Sequence, residues 1–375
     1  MNDTGSAVST AAATAARTLF GHRGQELAEI GDRLNQLAPS DLQSLLTLIS
    51  ADQAAKVRAH SVAAGTHFHR ASTVDPRLLH RVEGLIMAAE PGLEFVELSP
   101  LQPFGINHAL AGVSQKNVVS ALRGSEVNAD ATTALFSEAV RRLKSGAAHP
   151  VRLAAHCRST RSQRFPENSP LLPHFKVWAQ VSIGPHGNPY GHQELVALLA
   201  HLTSELRVLE SVIASTGRTD VTLKVSISNV LLSRQLAAAG VIEVPNHPAE
   251  GEADPLLAQV PAETSFDQTG TSEWLQRNGF SSGAKITEKF REIVRELAPQ
   301  LAPRLVFDLH RPYGVGYYKH LCYKIAAFTP DAGRIPLVDG GSTSWADKTL
   351  GHRRTYCITS GMGTELLCRH LLANR

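Results

Sequence analysis

The stretch VFDLHRPYGVGYY ends in two adjacent tyrosines, Tyr317 and Tyr318, with His310, Arg311 and Tyr313 just ahead of them. A tyrosine offers an apolar ring and a polar tip, which suits the wall of a half-wet pocket. If the stretch continues as a strand, alternate residues face core and solvent instead. Two glycine groups follow, Gly340–Gly341 in VDGGS and Gly361 and Gly363 in SGMGTELL, the latter running into Glu365. Glycine admits a ligand close to the backbone and equally serves turns with positive φ. Upstream, RSTRSQR carries Arg158, Arg161 and Arg164. Guanidinium forks hold carboxylates and phosphates, although such a run also reads as a solvated basic loop. A third set, His310, His320, Cys322, His352 and Cys357, with Cys368 and His370, has the residue types of a haem or metal site. It follows no known ligand spacing, and free cysteines are commonly just buried. The sequence contains no GxxxxGK[ST], HExxH or GxSxG, so phosphate-loop, zincin and serine-hydrolase chemistry are set aside.

These residues must be carried by a mixed set of elements. Residues 1–18 are rich in Ala, Ser and Thr and are expected to be disordered. Leu27, Ile30, Leu34 and Leu37 fall at helical spacing and open a helical extension over residues 19–72. The core, residues 73–375, begins with a helix at DPRLLHRVEGLIMAAEPG and a strand at EFVELSPLQP. A helix over 128–146 comes next, followed by strands VRLAAHCRS and HFKVWAQVSIG. A long helix (HQELVALLAHLTSELRVLE), a strand (VTLKVSIS) and a helix ended by Gly240 complete this half. Residues 244–283 are rich in Pro, Gly and acid and read as a mobile insertion or lid. Beyond them the pattern predicts a helix at ITEKFREIVRELA, strands RLVFDLH, YYKHLCYKIAAF and RTYCITSG, and a final helix. The expectation is an α+β fold, an antiparallel sheet flanked by helices.

The order of these motifs resembles the catalytic core of the class II histidyl-tRNA synthetases. That family has an FDL strand leading to a Tyr-Tyr motif, then a Gly-Gly-Arg-Tyr-Asp loop, then a glycine-rich turn ending in Glu-Arg. The matching residues here are Asp308, Tyr317, Tyr318, Gly340, Gly341, Gly361, Gly363 and Glu365. Upstream, Arg158 and Phe175 match the second class II motif, and Glu194 falls in the place of an acidic residue of the family. The resemblance covers about residues 75–375 without the insertion. It implies a ligand site built from Arg158, Gln180, Arg311, Tyr313, Tyr317, Tyr318, Gly340, Gly341 and Glu365.

The chain departs from the pattern where phosphate chemistry is done. Leu366 stands at the third-motif Arg, Tyr313 at the Arg of the Tyr-Tyr motif with Arg311 two residues away, and Ser342 at the loop Arg. Gln180 stands where a Glu would hold a substrate ammonium, and a neutral amide holds a cation more weakly. Fixed Arg groups that stabilise developing phosphate charge are worth several kcal/mol each, roughly 3 per group. Aminoacylation and ATP use are therefore not expected, and the chain ends where the resemblance would place an anticodon-binding domain. Composition agrees with a protein core: 43% hydrophobic and 19% charged residues. A net charge of +3 is too small to point to nucleic acid. Four widely spaced cysteines, no secretory pattern and no apolar run of membrane length fit a cytoplasmic protein.

Two functions remain open. One is a regulatory subunit of the kind found in short-form ATP phosphoribosyltransferase, which the resemblance implies would be a homodimer holding an amino-acid-like ligand and a catalytic partner of histidine biosynthesis. The other is a repurposed enzyme of amino-acid-derived metabolism, working by adenylation or through a haem or metal on the His/Cys set.

Overall fold

A computed structural model describes residues 23–58, 69–121, 123–163, 165, 171–244, 262–266, 281–351 and 353–372. The expected disordered start, His352, Arg164 and most of the expected lid lie outside these residues. The chain divides into two units, Met1–Thr66 with Ser120–Ser125, and His67–Val119 with Glu126–Arg375.

The first unit carries helices α1 (Arg23–Asn35) and α2 (Pro39–Ala55), as the periodicity of Leu27, Ile30 and Leu34 predicts. No α2 side chain is buried, and Leu48 and Ile49 stay exposed.

The second unit opens with α3 (Pro76–Ala89). Asp75 caps it by accepting from the Arg77 amide at 2.8 Å, and Pro76 supplies a preset φ in the first turn. Short strands β1 (Glu94–Phe95) and β2 (Leu101–Pro103) replace the single strand expected at EFVELSPLQP; β3 (Ser120–Ala121) falls within the first unit's Ser120–Ser125, and β4 (Ser125–Val127) comes after it in the chain. Helices α4 (Ile106–Ala111) and α5 (Ala131–Lys144) lie among and after them. A long antiparallel pair follows, β5 (Val151–Thr160) and β6 (His174–Pro185), then α6 (His192–Ser215), β7 (Thr222–Asn229) and α7 (Val230–Ala238). Strand β8 (Glu263–Ser265), α8 (Ser281–Leu297) and β9 (Leu305–Asp308) lead to the meander β10 (Leu321–Thr329) and β11 (Gly333–Thr343). Helix α9 (Trp345–Leu350), β12 (Thr355–Met362), α10 (Thr364–Leu367) and a π-helical turn close the chain.

One nine-stranded sheet in the order β1-β5-β6-β12-β11-β10-β7-β9-β8 organises this unit. It is antiparallel except for the β1/β5 and β7/β9 pairs. Strand alternation sorts the side chains onto two faces. Trp178, Ile358, Tyr323 and Ile227 pack under α3, α6 and α8. Ala155, Cys157, Val181 and Cys357 pack under α5 and α9. In α8, Phe290, Ile293 and Val294 recur at helical spacing and are buried, which explains its hold on the sheet.

Within residues 244–283, the described Glu263–Ser265 pair with β9, and Phe266 is fully buried, stacked on Phe307 at 5.2 Å. One expectation is corrected here: the glycine pair is not in a loop. Gly340 and Gly341 lie inside β11, bonded to β10 on one side and β12 on the other.

Candidate ligand-binding site

A cavity of about 440 Å³ lies on the α5 side of the sheet, beside the first turn of α5. Its floor follows the sheet register. Ala179 is paired with Gly361, and Gly361 with Asp339, so small residues leave room above the strands. A Cβ built on Gly361 would meet nothing nearer than the Trp178 carbonyl at 3.9 Å.

Tyr317 and Tyr318 form one wall, their rings 4.8 Å apart and edge to face. They precede β10 in a turn, so neither follows strand alternation. Burial pushes both phenols well above the usual range, and they act as donors. The Tyr318 hydroxyl donates to Asp339 Oδ1 at 2.7 Å. The Thr132 hydroxyl spends its proton on Asp130 Oδ1 at 2.6 Å, so Tyr317 donates to Thr132 Oγ1 at 2.7 Å.

Behind Tyr318 lies Arg311, 1% exposed. Its Nη2 donates to both Asp339 oxygens at 2.7 and 2.9 Å, and its Nε to the Tyr313 carbonyl at 2.7 Å. The guanidinium is 5.4 Å from the Tyr318 ring centre, a cation–π distance. Asp339 keeps 42% of its side chain exposed, so the acid rather than the base faces outward.

Asp130 caps α5, accepting from the Thr132 amide at 3.0 Å. Its other oxygen lies 3.7 Å from Arg161, whose Nε donates to the Ala129 carbonyl at 2.9 Å and whose guanidinium sits 5.7 Å from the Phe175 ring centre. Ser159, Val177 and Ala179 complete the wall from β5 and β6. Among the described residues the buried Ser159 hydroxyl meets no partner.

No protein-family model matches this sequence, and no curated protein matches it. Solved structures do. The ATP phosphoribosyltransferase regulatory subunit/histidyl-tRNA synthetase of Bacillus halodurans superposes with a TM-score of 0.60 at 15% identity, over 82% of this chain and 83% of that one. The histidyl-tRNA synthetase of Nostoc gives 0.59 at 15% identity, over 82% and 74%. A histidine–tRNA ligase subunit from Alicyclobacillus acidocaldarius gives 0.54 at 16%, over 79% and 95%. The chain has the fold of the class II histidyl-tRNA synthetase catalytic core.

Within this synthetase-like core the residues singled out from sequence separate. Tyr317 and Tyr318 line the cavity, and Arg311 lies directly behind them. Gly341 is packed beneath Tyr318: a Cβ there would fall 2.6 Å from Tyr318 Cδ1 and from Cys322 Cβ. Gly340 faces the opposite side, against the Tyr323 ring. Gln180 also lies on that opposite side. It alternates with the cavity-lining Ala179, and its Nε2 is 3.4 Å from Ser204 of α6. The positions of β6 that line the cavity are Phe175, Val177 and Ala179, all apolar. Tyr313 is 61% exposed, with Lys324 Nζ 5.1 Å from its ring centre, outside the cavity lining. Glu365 is buried and accepts from Arg158 at 2.9 Å and the Lys176 amide at 3.0 Å. Burial opposes its charge, but hydrogen bonds from Ser72 and Arg158 prevail and lower its pKa. This pair ties β5 to α10 beside the cavity rather than lining it.

The described members of the His/Cys set are not brought together as a metal site. Cys322 and Cys357 are buried, and burial pushes both thiols up to about 12, away from the thiolate a metal needs. Cys357 packs under α5, and Cys322 against Tyr318 and Val230. His320 joins a different group. Its Nδ1 accepts from the Leu321 amide, so the proton sits on Nε2, 3.1 Å from Glu194 Oε1. His186 Nδ1 is 3.2 Å from the other Glu194 oxygen, and Ser342 donates to the same carboxylate. Burial opposes the Glu194 charge, yet His186 and His320 hold the carboxyl far below its usual range. This buried group fastens the start of α6 to β10 and β11. Among the described residues no three His, Cys, Asp or Glu side chains are arranged to hold a metal ion.

Sequence reading missed Asp339, Asp130, Thr132 and Ser159. Asp130 had a signal, an Asp in the N-cap position before a helix. Asp339 had none beyond its place before the glycine pair. The cavity gives one prediction in which two glycines behave oppositely. Gly341→Ala should cost about 1–3 kcal/mol through overpacking against the Cys322 backbone. Gly361→Ala should leave stability unchanged or raised while filling the floor, and melting temperatures of the two variants would show the contrast.

Proposed function

We propose that this chain holds a small amino-acid-like ligand in the cavity and acts, as a homodimer, as a regulatory subunit of an enzyme of ATP phosphoribosyltransferase type. The observation that carries the reading is the state of the guanidinium groups. Arg311 is bound to Asp339, Arg158 to Glu365, and Arg161 lies beside Asp130. A carboxylate offsets each charge that would otherwise meet a triphosphate, and Leu366 stands where a further Arg would be. The cavity keeps the dimensions and aromatic wall of a small-molecule site. The likeness to a structure described as an ATP phosphoribosyltransferase regulatory subunit/histidyl-tRNA synthetase supports the regulatory role.

Thermal unfolding with a panel of amino acids and with Mg-ATP tests this. A ligand at a hundredfold its Kd adds about 2.7 kcal/mol, or roughly 5 °C. The expected result is stabilisation by an amino-acid-like compound and none by Mg-ATP. Stabilisation by Mg-ATP would favour the repurposed adenylating enzyme instead, and a flat response to the whole panel would remove the ligand pocket. Co-purification with a catalytic ATP phosphoribosyltransferase subunit is the matching test of the partner.

A further inference from the structure

We infer that the chain carries a second small-molecule site, on the other face of the sheet, which takes a monocarboxylate with an extended apolar body. It does not depend on the function proposed for the first cavity.

A cavity of about 620 Å³ lies where α3, the end of α6 and the closing π-helical turn (Cys368–Leu372) meet, within the size range of small-ligand pockets. Helices α3 and α6 cover the face of the sheet opposite to α5, so the sheet separates the two cavities.

One wall is apolar. Leu78, Val82 and Leu85 recur at helical spacing on α3, and Leu371 and Leu372 join them from the π-helical turn. Val82 and Leu371 are buried, whereas Leu78, Leu85 and Leu372 are half-buried and keep surface for a ligand. Leu78 to Leu85 covers about 10 Å of helix, the length of an extended octyl chain.

The opposite wall is the turn that follows α6, and its polar groups are largely spent within the protein. The Ser215 and Thr216 hydroxyls donate to the Val212 and Ile213 carbonyls at 2.7 and 2.6 Å, and Thr216 Oγ1 also accepts from the Arg218 amide at 3.2 Å. The Arg218 guanidinium donates to both Asp220 oxygens at 2.8 and 2.6 Å and to Asp331 at 3.5 Å. The charges of this wall are therefore matched to one another.

Arg81 is different. It lines the same cavity from α3, next to Val82 and one turn before Leu85, and it makes no hydrogen bond or ion pair among the described residues. An exposed guanidinium beside a leucine wall is completed by an amphipathic anion. Its fork takes a carboxylate through two parallel bonds, a geometry that neither an ammonium nor a hydroxyl can supply. The apolar body then covers Leu78, Leu85 and Leu372, and burial of that surface supplies most of the affinity while the guanidinium supplies the selectivity.

The test is calorimetric titration of the full chain at neutral pH with octanoate, 1-octylamine and 1-octanol, on the native chain and on Arg81→Gln. Arg81 has no partner in the fold, so the variant should melt with the native chain. Octanoate should bind the native chain at least about fivefold more tightly than the amine or the alcohol, equivalent to about 1 kcal/mol. Arg81→Gln should remove that advantage and leave binding of the alcohol unchanged. Octanoate binding that is equal in the two proteins, or matched by the amine, overturns the assignment. A flat titration with octanoate also overturns it and leaves this wall to a macromolecular partner. Neither result touches the amino-acid panel at the first cavity, so failure of this site and failure of the proposed function are read separately.

Discussion

Replacing Glu205 by Gln is expected to flatten the stability of this protein between pH 5 and pH 8. Glu205 lies on α6 and is fully buried. Tyr323 donates to its Oε2 at 2.6 Å. Burial raises its pKa to about 8, hydrogen bonds from Tyr323 and Ser360 only partly oppose this, and Asp339 and Glu90 add to it. The folded chain therefore holds a proton that the unfolded chain releases near pH 4.5. Stability from this group is fully present below that pH and is lost as pH rises toward 8. At about 1.4 kcal/mol per pKa unit, the native chain should lose a few kcal/mol over this interval.

Gln keeps an oxygen for Tyr323 and has no proton to lose. The buried histidines act in the other sense. Burial lowers His156 to about 4 and His201 to about 3, so their contribution is present above the ordinary histidine pKa and falls as pH drops. They are common to both proteins and cancel in the difference. Urea unfolding at pH 5 and pH 8 should give a gap between variant and native chain that widens with pH. A gap of constant size would show that Glu205 is ionised throughout.

Asp339→Asn should be the most damaging single change at the cavity. Arg311 would stay buried with its charge no longer offset, a loss of about 3–5 kcal/mol for a buried pair. The half-exposed acid lets water reach part of the pair, which places the expected cost at the lower end. Replacing both partners, Asp339→Asn with Arg311→Met, should recover part of that loss, because the buried charge is removed with its partner. A double-mutant cycle on unfolding free energies measures this coupling. Additive losses would mean that Arg311 is solvated without Asp339.

Much of the fold was legible in the residues. The β-branched alternation of VTLKVSIS, the long apolar periodicity of α6 and the strand pair around RSTRSQR all form where the patterns predict. The strand β11 was not legible. Its sequence, GRIPLVDGGST, contains a proline and a glycine pair, which weaken a strand reading. The sheet tolerates them because β10 and β12 bond to it on both sides and because Tyr318 and Tyr323 occupy the space above the glycines. The edge strand β8 was hidden for a similar reason: three residues in a segment rich in Pro and acid are held by β9 and by the burial of Phe266.

What the sequence determined by itself was local. Periodicity and capping residues specify the helices and most strands, and the order of motifs carries the likeness to the synthetase core, including the tyrosine pair and the missing third-motif Arg. What only the tertiary structure decided was which groups meet. Strand faces alternate with every residue, so one position separates Gln180, turned toward α6, from Ala179 in the cavity wall. Asp339 and Arg311 are 28 residues apart and become partners only because β11 passes beside the turn that carries the tyrosines. The pairing of each cavity arginine with an acid from another element, on which the functional proposal stands, is a property of that packing and is written in no single stretch of the chain.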